Sequence, residues 1–83
     1  MTDLNFDALA QLMRTVFNAP RAAIDRDSTS INVPGWDSIA HVILMLEIEE
    51  NFGVKISPQE AAKFENVGRL YDELVSRKAA MRT

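Results

Sequence analysis

Apolar residues at Phe6, Leu9, Ala10, Met13, Val16 and Phe17 recur three and four positions apart, the spacing that lines one face of an α-helix. The pattern predicts a first helix from about Leu4 to Asn18, capped by Thr2 or Asp3, after which Pro20 discourages further helix. From Asn18 to Trp36 the periodicity lapses. Pro20, Ser28, Thr29, Ser30, Asn32, Pro34 and Gly35 dominate this stretch, so it reads as a loop, and a loop this long in a small domain is either functional or a sign that an element has been missed. Ile24 and Ile31 are expected to pin it to the core, with a short turn over Ala22 to Asp25.

Asp37 opens the next periodic segment. Its carboxylate can accept bonds from the unpaired amides of a first turn, so a second helix is predicted from Asp37 to Phe52, with Gly53 as a left-handed stop. Val54 to Ile56 form a short extended link. Ser57-Pro58-Gln59-Glu60 is a capping box with proline at the first helical position, and it predicts a short third helix from Pro58 to Lys63. Asn66 can cap a fourth helix in which Val67, Leu70, Tyr71, Leu74 and Val75 face inward. The basic end of that helix suits the negative pole of its dipole. The expected fold is all-α, a small four-helix bundle of three main helices and a short third one, with a long loop between the first two.

The second helix carries two apolar stripes. Leu44, Ile48 and Phe52, with Met45 beside them, make an ordinary core face. Ile39, Val42, Ile43 and Leu46 make a second stripe on another side, with Glu47, Glu49 and Glu50 towards its C-terminal end. A surface helix needs one apolar face only. The second stripe therefore either packs beneath the long loop or presents a partner surface, and the glutamates are either a solvated face or its acidic margin. Val42 lies between the stripes and could serve both.

Composition narrows the classes. At 83 residues the expectation is one domain spanning 1–83, and 47% hydrophobic residues argue against disorder. There is no cysteine, which removes disulfides, zinc ribbons and a thiol nucleophile together and fits a reducing cytoplasm. A single histidine, His41, leaves no histidine-rich metal cluster. No apolar run approaches a membrane span, and the stretch from Met1 to Phe6 has no signal-peptide character. The net charge of −3 argues against nucleic acid. Acidic residues concentrate in the middle of the chain, where a basic partner surface would be drawn.

Taken alone, Ser38 reads as one more serine at a helix start. Asp37, Ser38 and His41 share about one turn, but this does not make a hydrolase triad. A triad needs a base bonded to the nucleophile, a third group orienting that base and an oxyanion site in a cleft. His41 is expected to border the core or the site at Ser38. Trp36 either fills an apolar site beneath the loop or lies at the entrance and meets partners.

The run Gly35-Trp36-Asp37-Ser38-Ile39, followed by Ala40-His41-Val42, resembles the prosthetic-group motif of the acyl carrier proteins, in which Asp-Ser-Leu opens the second helix. The resemblance extends from the first helix to Leu74. It takes in the Glu-Ile-Glu-Glu-Asn-Phe end of the second helix, the Ile56 link, Glu60-Ala61 in the third helix and the Val67 start of the fourth. It implies a non-enzymatic protein that carries acyl groups as thioesters on 4'-phosphopantetheine esterified to Ser38, with Asp37 needed for recognition by a phosphopantetheinyl transferase. The implied partner face is Trp36, Ile39, Val42, Ile43, Leu46, Glu47, Glu49 and Glu50. The implied partners are the transferase, an acyl- or aminoacyl-loading ligase, and acyltransferases or synthases of a fatty-acyl, polyketide-like or other specialised pathway. A monomer is expected.

Two departures from the family pattern matter. Ala40 and Ile43 stand where acidic residues are common, so docking is expected to depend more on apolar contact. Ser30 and Pro34 stand where apolar residues are usual, which bears on how the loop packs. Two alternatives remain open: an aminoacyl carrier loaded by an adenylating ligase, and a carrier-like interaction module that has lost the modification.

Overall fold

The computed structural model describes residues 3–80. Among them lie four helices and no strand: α1 (Phe6–Val16), α2 (Ser38–Phe52), α3 (Pro58–Ala61) and α4 (Val67–Ala80).

Helix α1 is shorter than its apolar pattern at both ends. The Asn5 side chain accepts the Ala8 N–H at 2.8 Å, so the cap is Asn5, not Asp3; Thr2 lies outside the described residues. The helix closes in a Schellman motif. Ala19 N–H donates to Arg14 O at 2.9 Å and Asn18 N–H to Thr15 O at 3.2 Å, with Asn18 itself left-handed at φ 53°. Asparagine tolerates that conformation better than most residues.

Leu9, Ala10 and Met13 of α1, Leu44, Met45, Ile48 and Phe52 of α2, and Val67, Leu70 and Leu74 of α4 meet in one core. Ala61 of α3 and the linking Val54 and Ile56 complete it. Phe6 meets Tyr71 edge-on, with ring centroids 5.5 Å apart, and fixes α1 on α4. Val75 is a correction: at 41% exposed it falls outside the inward face. It follows Leu74 by one residue, about 100° around the helix, and borders a shallow depression with Leu4 and Lys78.

The long loop is built from turns and anchored at a few points. Ile24 and Val33 are buried, whereas Ile31 is 92% exposed and pins nothing. The reason is local. Val33 N–H donates to Thr29 O at 3.1 Å and the Thr29 hydroxyl to Asn32 Oδ1 at 2.8 Å. This tight turn aims Val33 inward and leaves Ile31 at its tip. The loop also covers the start of α4, where Val67 N–H donates to Ser28 O and Gly68 N–H to Arg26 O, both at 2.9 Å. A side chain at Gly68 would lie 2.9 Å from Arg26, so only glycine permits this approach.

The predicted ends of α2 hold. Asp37 caps it, with Oδ1 accepting from Ala40 N–H at 2.8 Å, and Gly53 ends it at φ 71°. The capping box at Ser57 and Glu60 forms as read, but α3 stops at Ala61 rather than Lys63. Asn66 Oδ1 accepts from Arg69 N–H at 2.9 Å, as the cap of α4 should. No buried side-chain N or O among the described residues lacks a partner.

Candidate functional site

Gly35, Trp36 and Asp37 deliver the chain to the start of α2. Gly35 has φ 82°, and a Cβ there would lie 2.5 Å from Phe17 O. The position therefore requires glycine for conformation and for space. Next in the chain, the Trp36 indole stacks on Phe17, with centroids 5.3 Å apart and an interplanar angle of 22°. Trp36 is half-buried and packs on the end of α1.

Ser38 follows the cap as the first residue of α2, and it is exposed. The first amides of a helix precede its hydrogen-bond ladder, and the positive pole of the dipole lies there, so an anion is favoured beside this hydroxyl. A groove of about 400 Å³ opens next to it. Thr29, Ser30 and Asn66 give it polar edges, while Trp36, Ala61 and Phe64 give it apolar walls. A phosphodiester at Ser38 with an extended amide arm fits these surroundings.

His41, one turn on, lines the same groove. Trp36 Nε1–H donates to His41 Nδ1 at 3.1 Å, and His41 Nε2 lies 3.1 Å from Pro58 O. Indole nitrogen only donates and carbonyl oxygen only accepts. The ring that satisfies both is neutral and carries its proton on Nε2. Both nitrogens are thus turned to Trp36 and Pro58 rather than to the Ser38 hydroxyl, which is the geometric reason that no triad forms.

The second stripe of α2 is open. Ile39 is 74% exposed, Leu46 62%, and Val42 and Ile43 44% each, so it does not pack beneath the loop. Glu49 and Glu50 are exposed beside it. Glu47 is half-buried, and its backbone carbonyl and carboxylate both accept from Asn51 Nδ2, at 2.8 and 3.2 Å. Ala40 is buried, so that departure from the family pattern faces the core, whereas Ile43 lies on the surface. Ser30 and Pro34 are also exposed.

The residues that wall the groove from the far side, Ala61, Phe64 and Asn66, were not legible as site residues. Nothing local marks them, because the fold alone brings the α3–α4 link against the start of α2. The paired aromatic and imidazole at Trp36 and His41 were the available signal for the hydrogen-bonded chain. Among the described residues no cluster of histidine, aspartate and glutamate could hold a metal ion, and no helix is long and apolar enough to cross a membrane.

Ser38 is thus exposed at a helix start, with Gly35 two residues before the cap and a groove beside it. Residues 7–74 match the family model described as phosphopantetheine attachment site. The chain is 30% identical over 71 residues to an acyl carrier protein of Lactobacillus johnsonii, an alignment covering 86% of this chain and 89% of that protein. No solved structure matches. The chain belongs to the acyl carrier protein family, whose members carry cargo rather than catalyse, on 4'-phosphopantetheine held covalently by a serine.

Proposed function

We propose that Ser38 is the attachment serine and that the protein is a monomeric carrier of the cytoplasm. It holds acyl intermediates as thioesters and presents them to biosynthetic enzymes of a fatty-acyl, polyketide-like or other specialised pathway. The observation that carries this reading is the exposed Ser38 hydroxyl on the first residue of α2, beside a groove with room for the arm. Chemistry supports it too. A thioester needs a sulfur, the sequence contains no cysteine, and a prosthetic group is then its source.

Asp37 is the recognition element for the phosphopantetheinyl transferase. Its cap bond to Ala40 N–H holds the loop and helix in one orientation next to the acceptor serine. The face met by the transferase, the loading ligase and the acyltransferases or synthases is the exposed stripe of Ile39, Val42, Ile43 and Leu46. Trp36 lies at one end of it and Glu47, Glu49 and Glu50 at the other.

The carrier reading is tested by loading. After treatment with a transferase and coenzyme A, the protein is acylated and exposed to neutral hydroxylamine. Release of the acyl group, as from a thioester, is expected. An acyl group that survives as an oxygen ester, or no acylation of phosphopantetheinylated protein, contradicts the proposal.

A further inference from the structure

Trp36, His41 and Pro58 form a chain of two hydrogen bonds across three separate pieces of the fold. The indole N–H of the loop donates to His41 Nδ1 at 3.1 Å, and His41 Nε2 meets Pro58 O of α3 at 3.1 Å. The rings of Trp36 and His41 lie nearly parallel, 18° apart, and the indole also stacks on Phe17. Trp36 and His41 both wall the groove beside Ser38, and Pro58 opens the short α3 that contributes Ala61 to the opposite wall.

We propose that His41 is a positioning residue for the modification at Ser38, acting as a neutral Nε2–H tautomer that locks the indole of Trp36 to α2 and α3 and so sets the width of the arm's groove. This rests on Ser38 being the attachment serine. The donor and acceptor inventory forces the tautomer, because Trp36 has only an N–H to offer and Pro58 only a carbonyl. Pro58 O already accepts from Ala62 N–H at 3.0 Å within its own turn, so the histidine bond uses its second lone pair. α3 has four residues. A helix that short has little stability of its own and needs such a bond to hold its register against α2. Without the histidine, the indole N–H loses its acceptor and the ring can turn on the Phe17 face into the groove.

The chain contains one tryptophan and one histidine, so both groups can be read by nitrogen NMR without ambiguity. In the unmodified wild-type protein at pH 8, His41 should show an unprotonated Nδ1 and a protonated Nε2, with a hydrogen-bond coupling or slowed solvent exchange at the Trp36 indole N–H. An Nδ1–H tautomer, or an indole N–H that exchanges as a solvated one does, overturns the proposal. Transferase rates supply the second arm. Trp36→Phe keeps a ring for Phe17 and removes the N–H, and His41→Phe removes both bonds. Trp36→Phe should lower kcat/KM for the carrier by about 5-fold, the scale of one neutral hydrogen bond; His41→Phe, which removes both bonds, should lower it at least as much, and the double variant should be no slower than His41→Phe alone. His41→Gln, which can accept and donate in the same two directions, should restore the rate to within about 2-fold of wild type. Additive losses, or no rescue by glutamine in folded protein, contradict a shared positioning role. If the transferase leaves wild type unmodified, the assignment of Ser38 fails, and the positioning role falls with it. The NMR arm separates that result from a relay that does not form.

Discussion

Arg77 of α4 donates to the Glu60 carboxylate of α3, and the other oxygen of that carboxylate accepts the Ser57 N–H at 3.3 Å. One side chain thus completes the capping box and ties α3 to α4. Arg77 also donates to Glu73 at 2.6 Å and to Lys55 O at 3.1 Å, so the link before α3, α3 itself and α4 share one guanidinium. The Arg77 guanidinium and the Ser57 donors hold the Glu60 carboxyl down from its ordinary 4.5 to about 2.

That depressed value fixes the sign of a pH effect. Glu60 stabilises the fold fully above its unfolded value near 4.5, and the contribution is lost as pH falls towards about 2. Urea midpoints of wild type and Glu60→Gln should differ most near neutral pH and converge in acid. Salt should narrow the difference, because the pair is partly exposed. A gap that widens on acidification contradicts this account.

The two faces of α2 should respond differently to truncation. Leu44 is fully buried and Leu46 is 62% exposed. Leu44→Ala should cost about 3 kcal/mol in urea unfolding, and Leu46→Ala less than about 0.5 kcal/mol. Leu46→Glu should leave the fold intact while slowing loading by partner enzymes.

Docking through an apolar stripe has a salt signature. Loading rates should change by less than about 2-fold between low and moderate salt, since screening weakens charge contacts and leaves apolar ones. A steep fall would move the weight to Glu47, Glu49 and Glu50.

Gly35→Ala should destabilise the protein by about 2 kcal/mol, the scale of a residue forced into a left-handed conformation. The Cβ would also meet Phe17 O at 2.5 Å. Because Gly35 leads into Trp36, modification at Ser38 should slow as well. Urea unfolding and transferase kinetics on the same variant measure both.

Much of the fold was legible because its boundaries are set by local chemistry. Asp37, Gly53, Ser57 with Glu60, and Asn66 all do what their residue types favour at helix ends. The misreadings came where a neighbour decided the outcome. Leu4 extended the apolar period of α1 backwards and hid Asn5, a good cap residue in plain view. Ile31 and Val33 are alike in composition, and only the Thr29–Asn32 turn selects which one points inward. Val75 continues the apolar pattern of α4, but Leu74 already occupies the inward position. At the site, Ser38 and its exposure follow from the motif at the start of α2. The bridge from Trp36 through His41 to Pro58 does not, because it depends on how α3 returns against α2.

The central claim is that one hydroxyl, that of Ser38, receives the prosthetic group. Intact-mass measurement of wild type and Ser38→Ala after incubation with a competent transferase and coenzyme A tests it most directly. The account predicts a single added 4'-phosphopantetheine on wild type and none on Ser38→Ala. Equal addition to both, or none to folded wild type, would contradict it.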